Sequence, residues 1–318
     1  MQKKYKIGIR LAIALFAYSF IALKVGLTGF ENISKILEES LLSQNLIWFA
    51  IILILMPMVW ALEAVKWRFA LSDYTQMSFW RSWRSVWYGV VAGHLTPNRI
   101  GEPIGRLALV KSDVRGKAGF IAAWCSLTQQ IATVFFGLFG MAWWFSVKGL
   151  ALFPASVPIW LIFIIIFLWV GFLFLGISKI NWLAHWFESF NWFQKTLHYE
   201  RLDLRIKTST YFVVQLISLL RYALFSTQYV ILLRLFGVSA DIFDLYAIVA
   251  LTYFFSSLIP TFSASEVGVK TGFAIWFVAM VSDNAFGATA ASLFLWMLNL
   301  AIPALIAAWF SWKGEESE

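Results

Sequence analysis

Ionisable residues inside apolar stretches are the first place to look for chemistry, and this chain has few of them. Arg99, Glu102 and Arg106 fall in one apolar stretch, Glu266 and Lys270 in another, and Arg221 in a third. A charged side chain at the centre of a membrane helix costs about 2.5–3.5 kcal/mol on insertion scales, so it usually faces protein or water and has a partner. Four bases here stand against two acids, a surplus of two positive charges. A closed structural network would more naturally balance. A positive surplus suits an anion such as a phosphate or phosphodiester, which guanidinium meets with paired hydrogen bonds. A structural reading competes with this one. Glu102–Arg106 and Glu266–Lys270 have the i,i+4 spacing that holds a helix in register, and Arg221 can pair with one of the glutamates.

The two groups sit in related surroundings. The first reads Pro97-Asn-Arg99-Ile-Gly101-Glu102-Pro-Ile-Gly-Arg106, and the second Pro260-Thr-Phe-Ser-Ala-Ser-Glu266-Val-Gly-Val-Lys270. Both give a proline, a short small or polar loop, a glutamate, and a base four residues later. Pro97, Gly101 and Pro260 are the residues that break the apolar runs. Among neutral polar residues, Ser126, Gln129, Gln130, Gln215, Tyr222, Gln228 and Asn299 have the character of helix–helix hydrogen bonders, and His94 that of a packing histidine. Cys125 stands alone in an apolar helix as a structural thiol, and no Cys/His cluster has metal-ligand spacing. No metal or cofactor is expected. The chain has no nucleotide-binding loop, so ATP hydrolysis is not expected either.

The elements that position these residues follow from composition. Of 318 residues 61% are apolar and 13% charged, with a mean hydropathy of +0.76, whereas soluble domains carry about a quarter charged residues. The chain reads as an all-α polytopic membrane protein, one transmembrane domain over 1–318. Spans of about 20 apolar residues fall at 7–28, 45–65, 118–147, 155–178, 208–236 and 287–311. Loops at 1–10, 66–85, 111–117 and 179–207, with Lys313, hold most of the 25 Lys and Arg. That asymmetry puts them, and both termini, in the cytoplasm. The net charge of +8 is spread over short loops, which speaks for phospholipid contact and against nucleic acid. Oligomeric state is not legible.

Stretches 86–110 and 245–281 are broken by their prolines. Loops of the same kind flank each, so each reads as a re-entrant hairpin, the first from the cytoplasm and the second from outside. Gly89/Gly93 and Gly268/Gly272 give their arms small-xxx-small spacing for close approach. Span, hairpin and span over 45–147 are then echoed, inverted, over 208–311, and inverted repeats place a substrate near the midplane. Between them, 155–207 supplies a connecting span and a cytoplasmic interfacial helix. Trp80, Trp83 and Trp87 with Arg81 and Arg84 form a second anchor, and 31–44 a short outer amphipathic helix.

At the hairpins the sequence resembles a known family. Pro97-Asn98-Arg99-Ile100-Gly101-Glu102 followed by Arg106, and Ser256-Ser257-Leu258-Ile259-Pro260 with Glu266-Val267-Gly268, are similar to the two signatures of the lysylphosphatidylglycerol synthase transmembrane-region family, also called flippase-like or YbhN-like proteins. The resemblance implies a module that handles or translocates lipid in a bacterial cytoplasmic or inner membrane. No synthase domain follows the last span, so lipid aminoacylation is not carried over. The loop Thr261-Phe-Ser-Ala-Ser265 lacks the family's glycine-rich turn, and Gln129-Gln130 stand where an acid–base pair is expected. The expected function is binding and translocation of an anionic lipid or lipid-linked anion, by a protein that is not an enzyme. The alternatives are a non-transporting scaffold or regulator of lipid or envelope synthesis, an ion or solute carrier, and a membrane-embedded transferase.

Overall fold

The computed structural model describes residues 38, 45–94, 96, 99, 101–148, 164, 168–169, 204, 206–259 and 263–313. Among the described residues the fold is all-helical, without strands. In chain order the helices are α1 (Leu46–Ala70), α2 (Phe79–His94), α3 (Gly101–Arg106), α4 (Arg115–Lys148), α5 (Thr208–Leu235), α6 (Ile242–Leu258), α7 (Ser263–Val278), α8 (Ala285–Trp296) and α9 (Ile302–Lys313). A π-helical turn, Met297–Ala301, joins α8 to α9. Four stretches are long and apolar enough to cross a membrane: Leu46–Ala70, Ser112–Phe145, Thr208–Leu235 and Ala285–Ala307. The chain is therefore an integral multi-pass membrane protein. These stretches match the predicted spans at 45–65, 118–147, 208–236 and 287–311. The predicted span 7–28 lies outside the described residues, as do Pro97, Pro260, nearly all of the interfacial helix, the outer helix 31–44 apart from residue 38, and the span 155–178 apart from residues 164 and 168–169.

Helix ends follow local chemistry. Asp241 caps α6 by accepting from the Phe243 N–H at 2.8 Å, and Asn284 caps α8 by accepting from Gly287 at 2.8 Å. α5 stops where Gly237 adopts a φ of 78°. There the amide of Val238 reaches back to Leu233 at 2.9 Å and that of Gly237 to Arg234 at 3.0 Å. Those two bonds close a Schellman turn, whose left-handed residue favours glycine.

Each predicted hairpin stretch holds a packed helix pair, α2 with α3 and α6 with α7. In the first, a Cβ at Gly101 would stand 2.6 Å from the Ala92 carbonyl oxygen, and one at Gly105 would meet the Tyr88 carbonyl and stand 2.6 Å from the Ala92 Cβ. Gly101 thus faces Ala92 while Gly105 faces Tyr88, the register of antiparallel arms. Gly89 is equally committed, 2.8 Å from the Glu102 carbonyl oxygen by the same measure. The glycines of the second hairpin behave otherwise. Nothing lies within 4 Å of a Cβ at Gly268 or Gly272 among the described residues, so these glycines do not make the α6–α7 contact. The α6–α7 interface is built from large rings instead, with Phe255 5.9 Å from Phe273 and 5.5 Å from Phe277.

The arms of the first hairpin are also unequal. α2 begins at Phe79 and absorbs the tryptophan anchor, so anchor and arm are one helix of 16 residues. Trp80, Trp83 and Trp87 form a ring ladder along it, from exposed Trp80 down to buried Trp87. The returning arm α3 has 6 residues and then tightens into a 3₁₀ turn, Leu107–Leu109. Two apolar cores form, one around Trp67, Trp87, Val90 and Ile121, the other around Leu138, Leu232, Ile248, Phe277 and Phe294. Charged residues collect where elements of the two meet.

Candidate functional site

The most buried part of the site is one that the sequence reading passed over. Glu63 and Lys66 lie on α1 and are almost wholly enclosed. The Lys66 Nζ stands 2.8 Å from Glu63 Oε2, and it donates to the Cys125 carbonyl at 3.2 Å and to Ser218 Oγ at 3.4 Å. The cytoplasmic loop position inferred for Lys66 is therefore corrected: it is a core cation on a spanning helix. Its removal from the count leaves the inferred cytoplasmic side still the more basic one.

Glu63 serves two further bases. Arg106 Nη2 donates to Glu63 Oε1 at 2.8 Å and to Glu102 Oε1 at 2.5 Å. Arg221 Nε lies 3.4 Å from Glu63 Oε2, and its Nη1 donates to Gln129 Oε1 at 3.0 Å. The carboxylate of Arg221 is thus Glu63, where the structural reading offered Glu102 or Glu266. One carboxylate holding three bases is an arrangement that burial permits only because the charges compensate each other.

The helix packing explains how Arg106 arrives there. Trp67 Nε1 donates to Ser85 Oγ at 3.0 Å, and that hydroxyl donates to the Arg106 carbonyl at 2.6 Å. This chain of bonds ties α1, α2 and the end of α3 together. The absence of a side chain at Gly89 leaves room for the Arg106 stem.

A second group joins the two hairpins. Glu266, in the first turn of α7, accepts from Lys270 Nζ at 2.5 Å and from Arg99 Nε at 3.2 Å. Arg99 has a φ of 57°, the left-handed region that a non-glycine residue enters at a cost. The turn around it is held by Thr96. Its carbonyl accepts from Arg99 N at 3.3 Å, and its Oγ1 accepts from Gly101 N at 2.7 Å. Both i,i+4 pairs of the structural reading are therefore present, and the Arg99–Glu266 bridge is present as well.

All six charged residues singled out in the sequence, Arg99, Glu102, Arg106, Arg221, Glu266 and Lys270, line one cavity of about 410 Å³, and Glu63 joins them. With Glu63 included, four bases line the cavity against three acids, a surplus of one positive charge; Lys66, which does not line the cavity, brings the whole cluster to five against three. Three of the bases lie over rings: Arg106 over Trp67 at 5.7 Å, Arg221 over Trp60 at 5.4 Å and Lys270 over Tyr253 at 5.4 Å. Each is thus held between a carboxylate and an aromatic face. Guanidinium capacity remains unused: Arg99 Nη2, Arg106 Nε and Arg106 Nη1 are buried without a hydrogen-bond acceptor among the described residues.

The neutral lining includes Ser126, Gln129, Gln130, Thr133, Tyr229, Ser256 and Asn299. Asn299 sits on the π-helical turn and donates to Gln228 Oε1 at 2.6 Å, while Gln228 Nε2 donates to the Ile52 carbonyl at 2.9 Å. Cys125 is buried at the cavity edge. Of the hairpin-breaking residues, Gly101 opens α3 against α2. Among the described residues no group of three or more His, Cys, Asp or Glu could hold a metal ion. Compared with known proteins, the chain matches no protein-family model, no curated protein and no solved structure.

Proposed function

We propose that this chain binds the headgroup of an anionic lipid, or of a lipid-linked anion, in the central cavity and carries it between leaflets as a flippase-like protein. The observation that carries this reading is the cavity itself. Its lining carries a surplus of one positive charge, raised to two by the enclosed Lys66 paired with Glu63, and its arginines hold donors that no described residue uses. Arg221, on its wall, comes from the middle of a spanning helix. A buried donor without a partner costs free energy that a phosphate oxygen would recover. The two hairpin motifs that resemble the flippase-like family supply Arg99, Glu102, Arg106, Glu266 and Lys270 to this cavity, in keeping with the reading.

In this proposal α2–α3 is a re-entrant hairpin from the cytoplasm and α6–α7 one from outside, within an inverted repeat of a six-span bacterial inner-membrane protein. Arg99 and Glu266 make the contact between them, so an incoming phosphate competes with Glu266 for Arg99. Such competition biases two states only if the anion binds one of them better. A non-transporting scaffold is the second reading. It is favoured by the closure of the Glu63 group, where Lys66 already has three partners.

One experiment separates the two. Purified protein is reconstituted into phosphatidylcholine vesicles containing a trace of fluorescently labelled anionic phospholipid, and an impermeant reductant is added outside. A transporter exposes the inner-leaflet label to bleaching, and the Arg99→Gln/Arg106→Gln variant slows it. Bleaching confined to the outer leaflet, with equal lipid retention by wild type and the double variant, sinks the transport reading in favour of the scaffold.

A further inference from the structure

Building on the anion site proposed above, we infer that the headgroup it takes carries hydroxyl groups beside its phosphate, as a phosphoinositol, phosphoglycerol or phosphosugar does, and no quaternary amine. The neutral part of the cavity lining dictates this. Ser126 Oγ donates to the Ala122 carbonyl at 3.2 Å and Thr133 Oγ1 to Gln129 at 3.1 Å. Ser256 Oγ donates to Tyr253 at 3.1 Å and Ser257 Oγ to Phe254 at 2.7 Å. A hydroxyl has one hydrogen and two lone pairs. With each hydrogen committed to the residue's own helix, all four present the cavity with acceptors only. Asn299 extends the pattern: its amide donates to Gln228, while its Oδ1 is buried without a donor among the described residues. Trp60 Nε1 also lines the cavity as a buried donor with no acceptor among the described residues, but the acceptors outnumber it and call for a ligand that brings donors.

Two kinds of donor are available to lipid headgroups, ammonium and hydroxyl, and the charges choose between them. Every carboxylate in the cavity is already engaged: Glu63 by Lys66, Arg106 and Arg221, Glu102 by Arg106, and Glu266 by Arg99 and Lys270. A further cation would enter a site that is already positive and find no free counterion. Hydroxyls carry donors without that penalty. A quaternary amine has no donor, and the rings of Trp60 and Tyr253, which could cage one, already hold Arg221 and Lys270 over them. The cavity of about 410 Å³ falls within the size range of small-molecule sites. It suits a headgroup, with the acyl chains left outside.

The test is competitive retention by the full-length protein. Detergent-purified protein is incubated with equimolar phosphatidylinositol, phosphatidic acid and phosphatidylcholine of matched acyl chains, and bound lipid is read by native mass spectrometry. Phosphatidylinositol should exceed phosphatidic acid by about tenfold, the effect of one or two extra hydrogen bonds, with phosphatidylcholine retained least. The Thr133→Val/Ser256→Ala variant should bring phosphatidylinositol down to the level of phosphatidic acid and leave phosphatidic acid unchanged. A variant that keeps the full preference overturns the hydroxyl wall. If the variant fails to fold, the wild-type ranking decides alone. Equal retention of the two anionic lipids by wild type overturns the hydroxyl preference and leaves the anion site standing. Phosphatidylcholine retained as well as either anionic lipid, or no lipid retained at all, overturns both.

Discussion

Neutralising Glu63 should separate stability from anion binding, because this carboxylate is the counterion for three bases at once. Glu63→Gln keeps the shape and an acceptor for Arg106 while removing the charge. Lys66 and Arg106 lie 2.8 Å from its oxygens and Arg221 3.4 Å away, and the residue is 2% exposed. Breaking a buried ion pair by removing one partner costs about 3–5 kcal/mol. At about 2 °C per kcal/mol for a large chain, the melting temperature in detergent should fall by about 6–10 °C. A Glu63→Gln/Lys66→Met variant leaves one fewer uncompensated cation and should recover about 1–3 kcal/mol of that loss. The bases released from Glu63 should also bind anions more tightly, so added anionic phospholipid should raise the melting temperature of Glu63→Gln by more than that of wild type. Intrinsic tryptophan fluorescence, with and without lipid, reads all of these. A fall of less than about 2 °C, or strictly additive behaviour of the double variant, would show that Glu63 does not hold the cluster together.

Two further outcomes follow from packing and topology. Gly105→Ala should destabilise by about 1–3 kcal/mol, since its Cβ has no room against Tyr88 and Ala92, whereas Gly272→Ala, which meets nothing within 4 Å among the described residues, should be neutral or slightly stabilising in the same melting assay. In a Cys125→Ala background, single cysteines at the exposed positions Ser72 and Ser112 should react with an impermeant thiol reagent from the same side of the membrane and one at Asp283 from the other, while labelling of Ser72 and Ser112 from opposite sides would make α2–α3 a full crossing and remove the inverted repeat.

Much of the site was legible because charge is expensive in an apolar stretch and therefore conspicuous. Arg99, Glu102, Arg106, Arg221, Glu266 and Lys270 stand out for that reason alone, and the prolines and glycines beside them mark where the helices must turn. Glu63 and Lys66 escaped notice because they sit at the predicted end of a span, where a base reads as a loop residue. α1 continues to Ala70, and that extension puts Lys66 inside with Glu63, which already lay in the last turn of the predicted span. The usable signal was their i,i+3 spacing, which places a carboxylate and an ammonium on one helical face just where hydropathy begins to fall. The glycine spacing of the second hairpin did not identify the α6–α7 contact, for a related reason. Small-xxx-small spacing states that close approach is possible, and what approaches is decided by neighbours far away in sequence. The partner of Arg221 was likewise invisible, since α1 meets α5 through packing that no local pattern encodes.

The two charged groups differ in what they can exchange. Glu63, Lys66 and the Arg106 side chain are at most 3% exposed, and separating such charges without replacement costs several kcal/mol. That group acts as a fixed positive wall. Around Glu266 the side chains are 16–32% exposed, with Arg99 at 28% and Lys270 at 32%. Pairs left partly open to the cavity are held less tightly than the enclosed Glu63 group, since water in the cavity would compensate either partner when they part. Arg99 also carries the cost of its left-handed backbone, which lowers the net stability of the bridged arrangement further. In the proposed site, an entering anion would therefore meet one set of cations that stays in place and one arginine that is released cheaply. The Arg99–Glu266 bridge is also where the two hairpins touch through charge. If a ligand is to change how the hairpins sit against each other, this is the contact it can break at least cost.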